Sequence, residues 1–141
     1  MLVKQVSIFV ENTTGRLADV TRILADAGID LKAATIADAA DFGILRCIVE
    51  DADAAKKVLN EKGFNASISE VIAVSLDNKP GGFHRVLQIL ADEKVGVKYI
   101  YSTIKSAEGE AVIMMKAADN DKAIEVLKAN DVKLVSIDEV K

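Results

Sequence analysis

The chain has 141 residues, half of them apolar, 4% aromatic and 28% charged, with a formal net charge of −4. That composition belongs to a soluble globular protein with an aliphatic core, and its acidic balance with scattered Lys and Arg excludes nucleic-acid binding, which needs a basic face to displace phosphate counterions. The lone cysteine, Cys47, leaves no intrachain disulfide or cysteine-based metal cluster and fits a reducing cytoplasm.

The N-terminus lacks the basic flank and long apolar stretch of a signal peptide. No apolar run approaches the roughly 20 residues that span a bilayer. A cytoplasmic protein with no membrane partner, no metal and no other cofactor is therefore expected.

In chain order, Val6, Ile8 and Val10 alternate with Gln5 and Ser7, the period-two pattern of a half-buried strand. Leu17, Val20, Leu24 and Ala27 follow at helical spacing with Asp19, Arg22 and Asp26 between them, predicting an amphipathic helix that stops at Gly28. A strand over about 29–36, a turn through Asp38 to Asp41 and a strand over about 44–49 read as a hairpin. Ala55, Val58 and Leu59 mark one side of a second helix, ending at Lys62-Gly63, and a last strand begins near Phe64.

The same order then recurs. Shifted by 66 positions, Glu11-Asn12-Thr13-Thr14-Gly15 falls on Asp77-Asn78-Lys79-Pro80-Gly81, and Ile23-Leu24-Ala25-Asp26 falls on Ile89-Leu90-Ala91-Asp92. Gly43 falls on Gly109 as the close of an equivalent turn; beyond residue 53 the offset becomes 68, placing Ala55, Val58 and Leu59 on Ala123, Val126 and Leu127. Regular self-similarity means two copies of one structural unit. A unit of this size buries only ~60% of its unfolded surface and gains by packing on a neighbour.

The expected fold is α+β, two tandem ferredoxin-like βαββαβ domains over 1–70 and 71–141, each an antiparallel sheet with its helices on one face. Residues 67–76 contain neither Gly nor Pro, so the last strand of one copy is expected to run into the first strand of the next without a flexible linker. In the third strand, Leu45, Cys47 and Val49 match Ala111, Ile113 and Met115 as the core side. Their alternates, Ile44, Arg46 and Ile48 with Glu110, Val112 and Met114, join Phe9 in a partly apolar outer face, which predicts cover by the other domain or another chain.

With these motifs in place the chain resembles the ACT domain, twice over and along essentially its whole length. The resemblance rests on Asn12, Thr14-Gly15-Arg16-Leu17 and Gly28-Ile29-Asp30-Leu31 in copy one, and on Asn78, Pro80-Gly81-Gly82-Phe83 and Lys94-Val95-Gly96-Val97 in copy two. It departs from the family pattern at Thr14, where proline is usual, at Phe83, where leucine is usual, and at Lys94, which replaces the glycine of copy one. The resemblance implies a regulatory module that binds an amino acid at the seam between two such domains, using the loop before the first helix and the start of the second strand. The implied ligand residues are Asn12, Thr13, Thr14, Gly15, Arg16, Leu17, Ile29, Asp30 and Leu31, then Asn78, Lys79, Pro80, Gly81, Gly82, Phe83, His84, Val95, Gly96 and Val97. Helix N-terminal amides suit a carboxylate, glycine admits close main-chain approach, and an Asn amide both donates and accepts.

Blander readings stand beside these. Asn12 and Asn78 can simply cap their turns, and the two glycines can be conformational. Pro80-Gly81-Gly82 lacks the ending of a phosphate loop. His84, beside Arg85 early in a helix, reads as solvent-facing, Cys47 as an inert core residue, and Tyr99 and Tyr101 as lining a pocket or an interface or packing in the core. No catalytic constellation stands out, so no enzyme is expected. The leading reading is a regulatory protein, homodimeric through its outer face, that senses a small amino acid and docks on a partner enzyme or regulator. The alternative is a regulatory or structural subunit of an amino-acid biosynthetic enzyme acting through protein contacts.

Overall fold

The structure, a computed structural model, describes residues 2–38, 40–103 and 110–140. Its elements run β1 (Val3–Glu11), α1 (Arg16–Asp26), β2 (Leu31–Asp38), β3 (Phe42–Val49), α2 (Ala52–Glu61), β4 (Asn65–Asp77), α3 (Gly82–Asp92), β5 (Val97–Ser102), β6 (Glu110–Ala117), α4 (Asn120–Ala129) and β7 (Leu134–Val135). A short 3-10 turn, Ile137–Glu139, follows. The β-α-β-β-α-β order therefore occurs twice, as the sequence predicts. Gly109, expected to close the second hairpin, and Ala39, within the expected first turn, lie outside the described residues.

The chain divides into two compact units, Lys4–Ser69 and Glu70–Lys141 with residues 1–3. In the first, β2, β3, β1 and the start of β4 are neighbours in that order. Antiparallel register pairs Val6 with Cys47 and Ile8 with Leu45, while β2 pairs with β3 through Ala34 and Cys47, with a bulge between Leu31 and Ala33. The second unit repeats the plan: β6 pairs with the latter part of β4 and with β5, and β7 pairs with β4 through Ala73 and Val135. β4 is continuous from Asn65 to Asp77, so it belongs to both units without an intervening linker.

Each unit has its own core on the helix side of its sheet. In the first, Val6, Ile8, Val10, Leu45 and Cys47 meet Val20, Leu24 and Leu59; in the second, Ile72, Val74, Ile113 and Met115 meet Val86, Leu90 and Leu127. These are the positions that strand alternation and helical spacing marked, because burying each such aliphatic side chain contributes about 1.5–3 kcal/mol. The opposite faces are not uniformly solvated: Ile48 and Met114 are completely buried and Val112 nearly so, whereas Phe9 is 54% exposed. Tyr101 is buried and Tyr99 half-buried.

The four helices among the described residues end alike. The N–H groups of Ile29, Phe64, Val95 and Val132 reach back to the carbonyls of Leu24, Leu59, Leu90 and Leu127 at 2.9–3.0 Å. That closure requires a left-handed residue just before it, supplied by Gly28 (φ 72°) and Gly63 (φ 88°) in the first unit, and by Lys94 (φ 57°) and Asp131 (φ 58°) in the second. This moves the second strand of the first unit later than expected: Ile29 closes the helix, and β2 begins at Leu31.

Candidate functional site

The loops between β1 and α1 and between β4 and α3 are built the same way. In the first, Thr13 N–H donates to Glu11 O at 2.8 Å and Arg16 N–H to Thr13 O at 3.4 Å; in the second, Lys79 N–H donates to Asp77 O at 2.9 Å and Gly82 N–H to Lys79 O at 3.1 Å. Gly15 (φ 91°, ψ −12°) and Gly81 (φ 86°, ψ −12°) then turn the chain into its helix from the left-handed region, where a side chain would be strained. Neither helix has a side-chain cap. The N–H groups of Leu17 and Ala18, and of Phe83 and His84, have no protein hydrogen-bond partner among the described residues.

Those uncommitted amides sit at the positive end of each helix dipole, an environment that favours a carboxylate. Beside them the matched apolar side chains Leu17 and Phe83 are 43% and 42% exposed. Each loop therefore presents first-turn amides next to an open apolar residue.

The remaining expected residues fall into different settings. Asn12, Thr13 and Thr14 are exposed, as are Asn78, Lys79 and Pro80. Asn12 is tied to the turn between β2 and β3, its N–H donating to Asp41 O at 3.0 Å and its Nδ2 to Ala40 O at 3.5 Å. Ile29 and Leu31 pack against the first core, whereas Asp30 is exposed and accepts from Lys32 Nζ at 3.0 Å. Val95 is buried, Gly96 O accepts from Ala118 N–H at 2.8 Å, and Val97 is 36% exposed. His84 is exposed, in line with its solvent-facing reading.

Arg16 departs from the loop. Its Nη1 lies 3.3 Å from Asp19 Oδ2, and its guanidinium carbon lies 4.4 Å from the centre of the Phe64 ring. It thereby lines a cleft of about 440 Å³ on the helix side of the first unit, with Arg22, Asp26, Val58 and Lys62. A smaller cleft of about 240 Å³ in the second unit is lined by Gly82 with Asp77, Arg85, Glu110 and Lys133, among others. Apart from Arg16 and Gly82, none of these lining residues is among the ligand residues expected from the sequence. Their signal was the mismatch of charges between repeats, since Arg16, Arg22 and Lys62 align with Gly82, Gln88 and Asn130.

Cys47 is held inert by its surroundings: burial pushes its thiol up from 9.0 to about 12, and Sγ lies 3.7 Å from Val6 O. Among the described residues no group of three or more His, Cys, Asp or Glu side chains is placed to hold a metal ion. No helix among them is long and apolar enough to cross a membrane.

Comparison with known proteins gives a consistent placement. The whole chain, residues 1–141, matches the profile of a family described as an ACT domain pair. It is 42% identical to protein BT0572 from Bacteroides thetaiotaomicron, whose crystal structure superposes with a TM-score of 0.93 over 99% of this chain and 96% of that one. The ligand-free regulatory subunit of aspartate kinase from Thermus thermophilus shares the fold at 18% identity and a TM-score of 0.65, over 89% of this chain and 91% of that one. The corresponding subunit from Thermus flavus does so at 17% identity and a TM-score of 0.62, over 92% and 94%. No curated protein sequence matches the chain.

Proposed function

The chain belongs to the ACT domain pair family, and on that footing we propose that it is a non-catalytic regulatory protein that binds a small amino acid against the loop preceding the first helix of each unit. Family membership supports a regulatory, ligand-binding role; the amino acid and the loops are our reading. The observation that carries it is the pair of left-handed glycines, Gly15 and Gly81, each preceding two first-turn amides without a partner among the described residues. An amino-acid carboxylate complements such amides, and Leu17 or Phe83 gives its side chain an apolar neighbour. The ligand would act by binding one conformation or assembly better than another, since only differential affinity shifts an equilibrium.

A thermal-shift screen of the twenty amino acids tests this. One or a few should raise the melting temperature at millimolar concentration, because a ligand bound only by the folded state stabilises it by mass action. No shift with any of them would count against the proposal.

A second reading is favoured by the exposed apolar side chains Phe9, Phe42 and Ile36, which are 54%, 51% and 46% exposed. It makes the chain a regulatory or structural subunit of an amino-acid biosynthetic enzyme that acts through protein contacts. Our reading of the assembly is a cytoplasmic homodimer that docks on a partner enzyme or regulator. Native mass spectrometry of the purified chain and co-purification from native extract examine those two points, and a monomer with no partner would contradict both.

A further inference from the structure

We infer that the helix-side cleft of the first unit is a second amino-acid site, separate from the loops and suited to a zwitterion with an apolar side chain. Only the ligand class rests on the proposal above; the site itself rests on the cleft.

Its floor is apolar, from Ile23, Ala27, Val58 and Phe64, and its volume of about 440 Å³ is ample for a single amino acid. Charges of both signs rim that floor. Asp19 is shared between Arg16 and Arg22, each nitrogen 3.3 Å from a different carboxylate oxygen. Two guanidinium groups on one carboxylate leave a surplus positive charge. Arg16 Nε is buried and has no hydrogen-bond partner among the described residues, which is costly for a charged group. Lys62 and Asp26 also line the cleft, and neither has an ion-pair or hydrogen-bond partner for its side chain among the described residues.

Asp26 is notable because it is the last residue of α1, where the helix dipole disfavours a negative charge. Its repeat counterpart, Asp92, is also the last residue of its helix but accepts a hydrogen bond from Gln88 Nε2 at 2.8 Å. One carboxylate and one ammonium without partners, lining the same cleft as an apolar floor, offer counter-charges to the ammonium and the carboxylate of an amino acid.

The second unit serves as an internal control. It has the same helices, yet Gly82, Gln88 and Asn130 stand where the first has Arg16, Arg22 and Lys62. There Arg85 donates from Nη2 to Asn130 O at 3.0 Å, joining α3 to the end of α4. The shared fold therefore does not require the Arg16, Arg22 and Lys62 set, which the second unit replaces with uncharged residues.

The test is a titration of the full chain with L-valine, L-leucine, L-isoleucine, L-methionine and L-phenylalanine, followed by amide NMR and by calorimetry. Asp26→Asn, Lys62→Gln and Gly15→Ala are compared with the parent, and each variant is first checked for an unchanged fold by circular dichroism. At least one amino acid should shift the amides of Ala27, Val58 and Phe64, and its affinity should fall about tenfold or more in Asp26→Asn and in Lys62→Gln, the scale of one lost charged hydrogen bond. Gly15→Ala should leave that affinity unchanged. If the shifts instead cluster at Leu17, Ala18, Phe83 and His84 and only Gly15→Ala weakens binding, the cleft is overturned while the loop site stands. Shifts confined to the cleft support the inference and count against the loops. No shifts at either place overturn both.

Discussion

Replacing Lys94 by glycine should stabilise the protein, although the lysine is solvent-exposed and its side chain has no hydrogen bond or ion pair among the described residues. Lys94 holds φ 57° at the end of α3, the conformation that Gly28 takes at φ 72° at the end of α1. Its strain is imposed by the closure of the helix, in which Val95 N–H reaches Leu90 O at 2.9 Å. A non-glycine residue pays about 1–2 kcal/mol for the left-handed region, and glycine loses about 0.4–1 kcal/mol through the greater freedom it gives the unfolded chain. The net expectation is a stabilisation of about 0.5–1 kcal/mol, or roughly 2–4 °C in Tm for a chain of this length. Urea unfolding followed by circular dichroism measures it, with Gly28→Ala as the converse variant, expected to lose about 1 kcal/mol or more. A Lys94→Gly variant no more stable than the parent would refute the reasoning, because the strain would then not be a cost the fold bears.

Further expectations follow from single positions. Asp51 and Asp119 each accept a first-turn amide, from Ala54 N–H at 3.0 Å and Lys122 N–H at 3.1 Å, so alanine at either should cost about 1 kcal/mol in urea unfolding. Gly82→Ala would drive its Cβ into Asp77 O, so the chain must shift there, and the loss should reach or exceed the ~1–3 kcal/mol of ordinary overpacking; a wild-type denaturation midpoint would contradict it. Because burial raises the Cys47 thiol from 9.0 to about 12, its contribution to stability is fully present below about 9 and is lost as pH rises from there toward 12. A thiol reagent at neutral pH should label Cys47 only after denaturant is added, and rapid labelling of the native protein would contradict its burial.

Much of the fold was legible because its determinants are local and repeated. The alternation at Val6, Ile8 and Val10 and the helical spacing of Val20 and Leu24 encode burial directly, and the recurrence of Asn-x-x-Gly marks the two loops whose glycines take the left-handed region. Helix ends were less legible, because Lys94 and Asp131 do the work of glycines while carrying side chains that advertise nothing of the kind. The start of the second strand differs from the sequence reading for another reason: Ile29 looks like a strand residue but serves as the apolar closure of α1. Arg16 belongs to the loop by its place in the sequence, and only side-chain direction reveals that it turns to Asp19 and Phe64. The cleft it lines brings α1 together with the end of α2 and the residue before β4, a juxtaposition no local pattern encodes.

The central claim, that an amino acid is held by the first-turn amides behind Gly15 and Gly81, is tested most directly by the structure of the full chain crystallised with whichever amino acid most raises its melting temperature. The account predicts the ligand carboxylate within hydrogen-bond distance of Leu17 and Ala18 N–H, or of Phe83 and His84 N–H. A bound amino acid whose carboxylate makes no contact with either set of amides would contradict it.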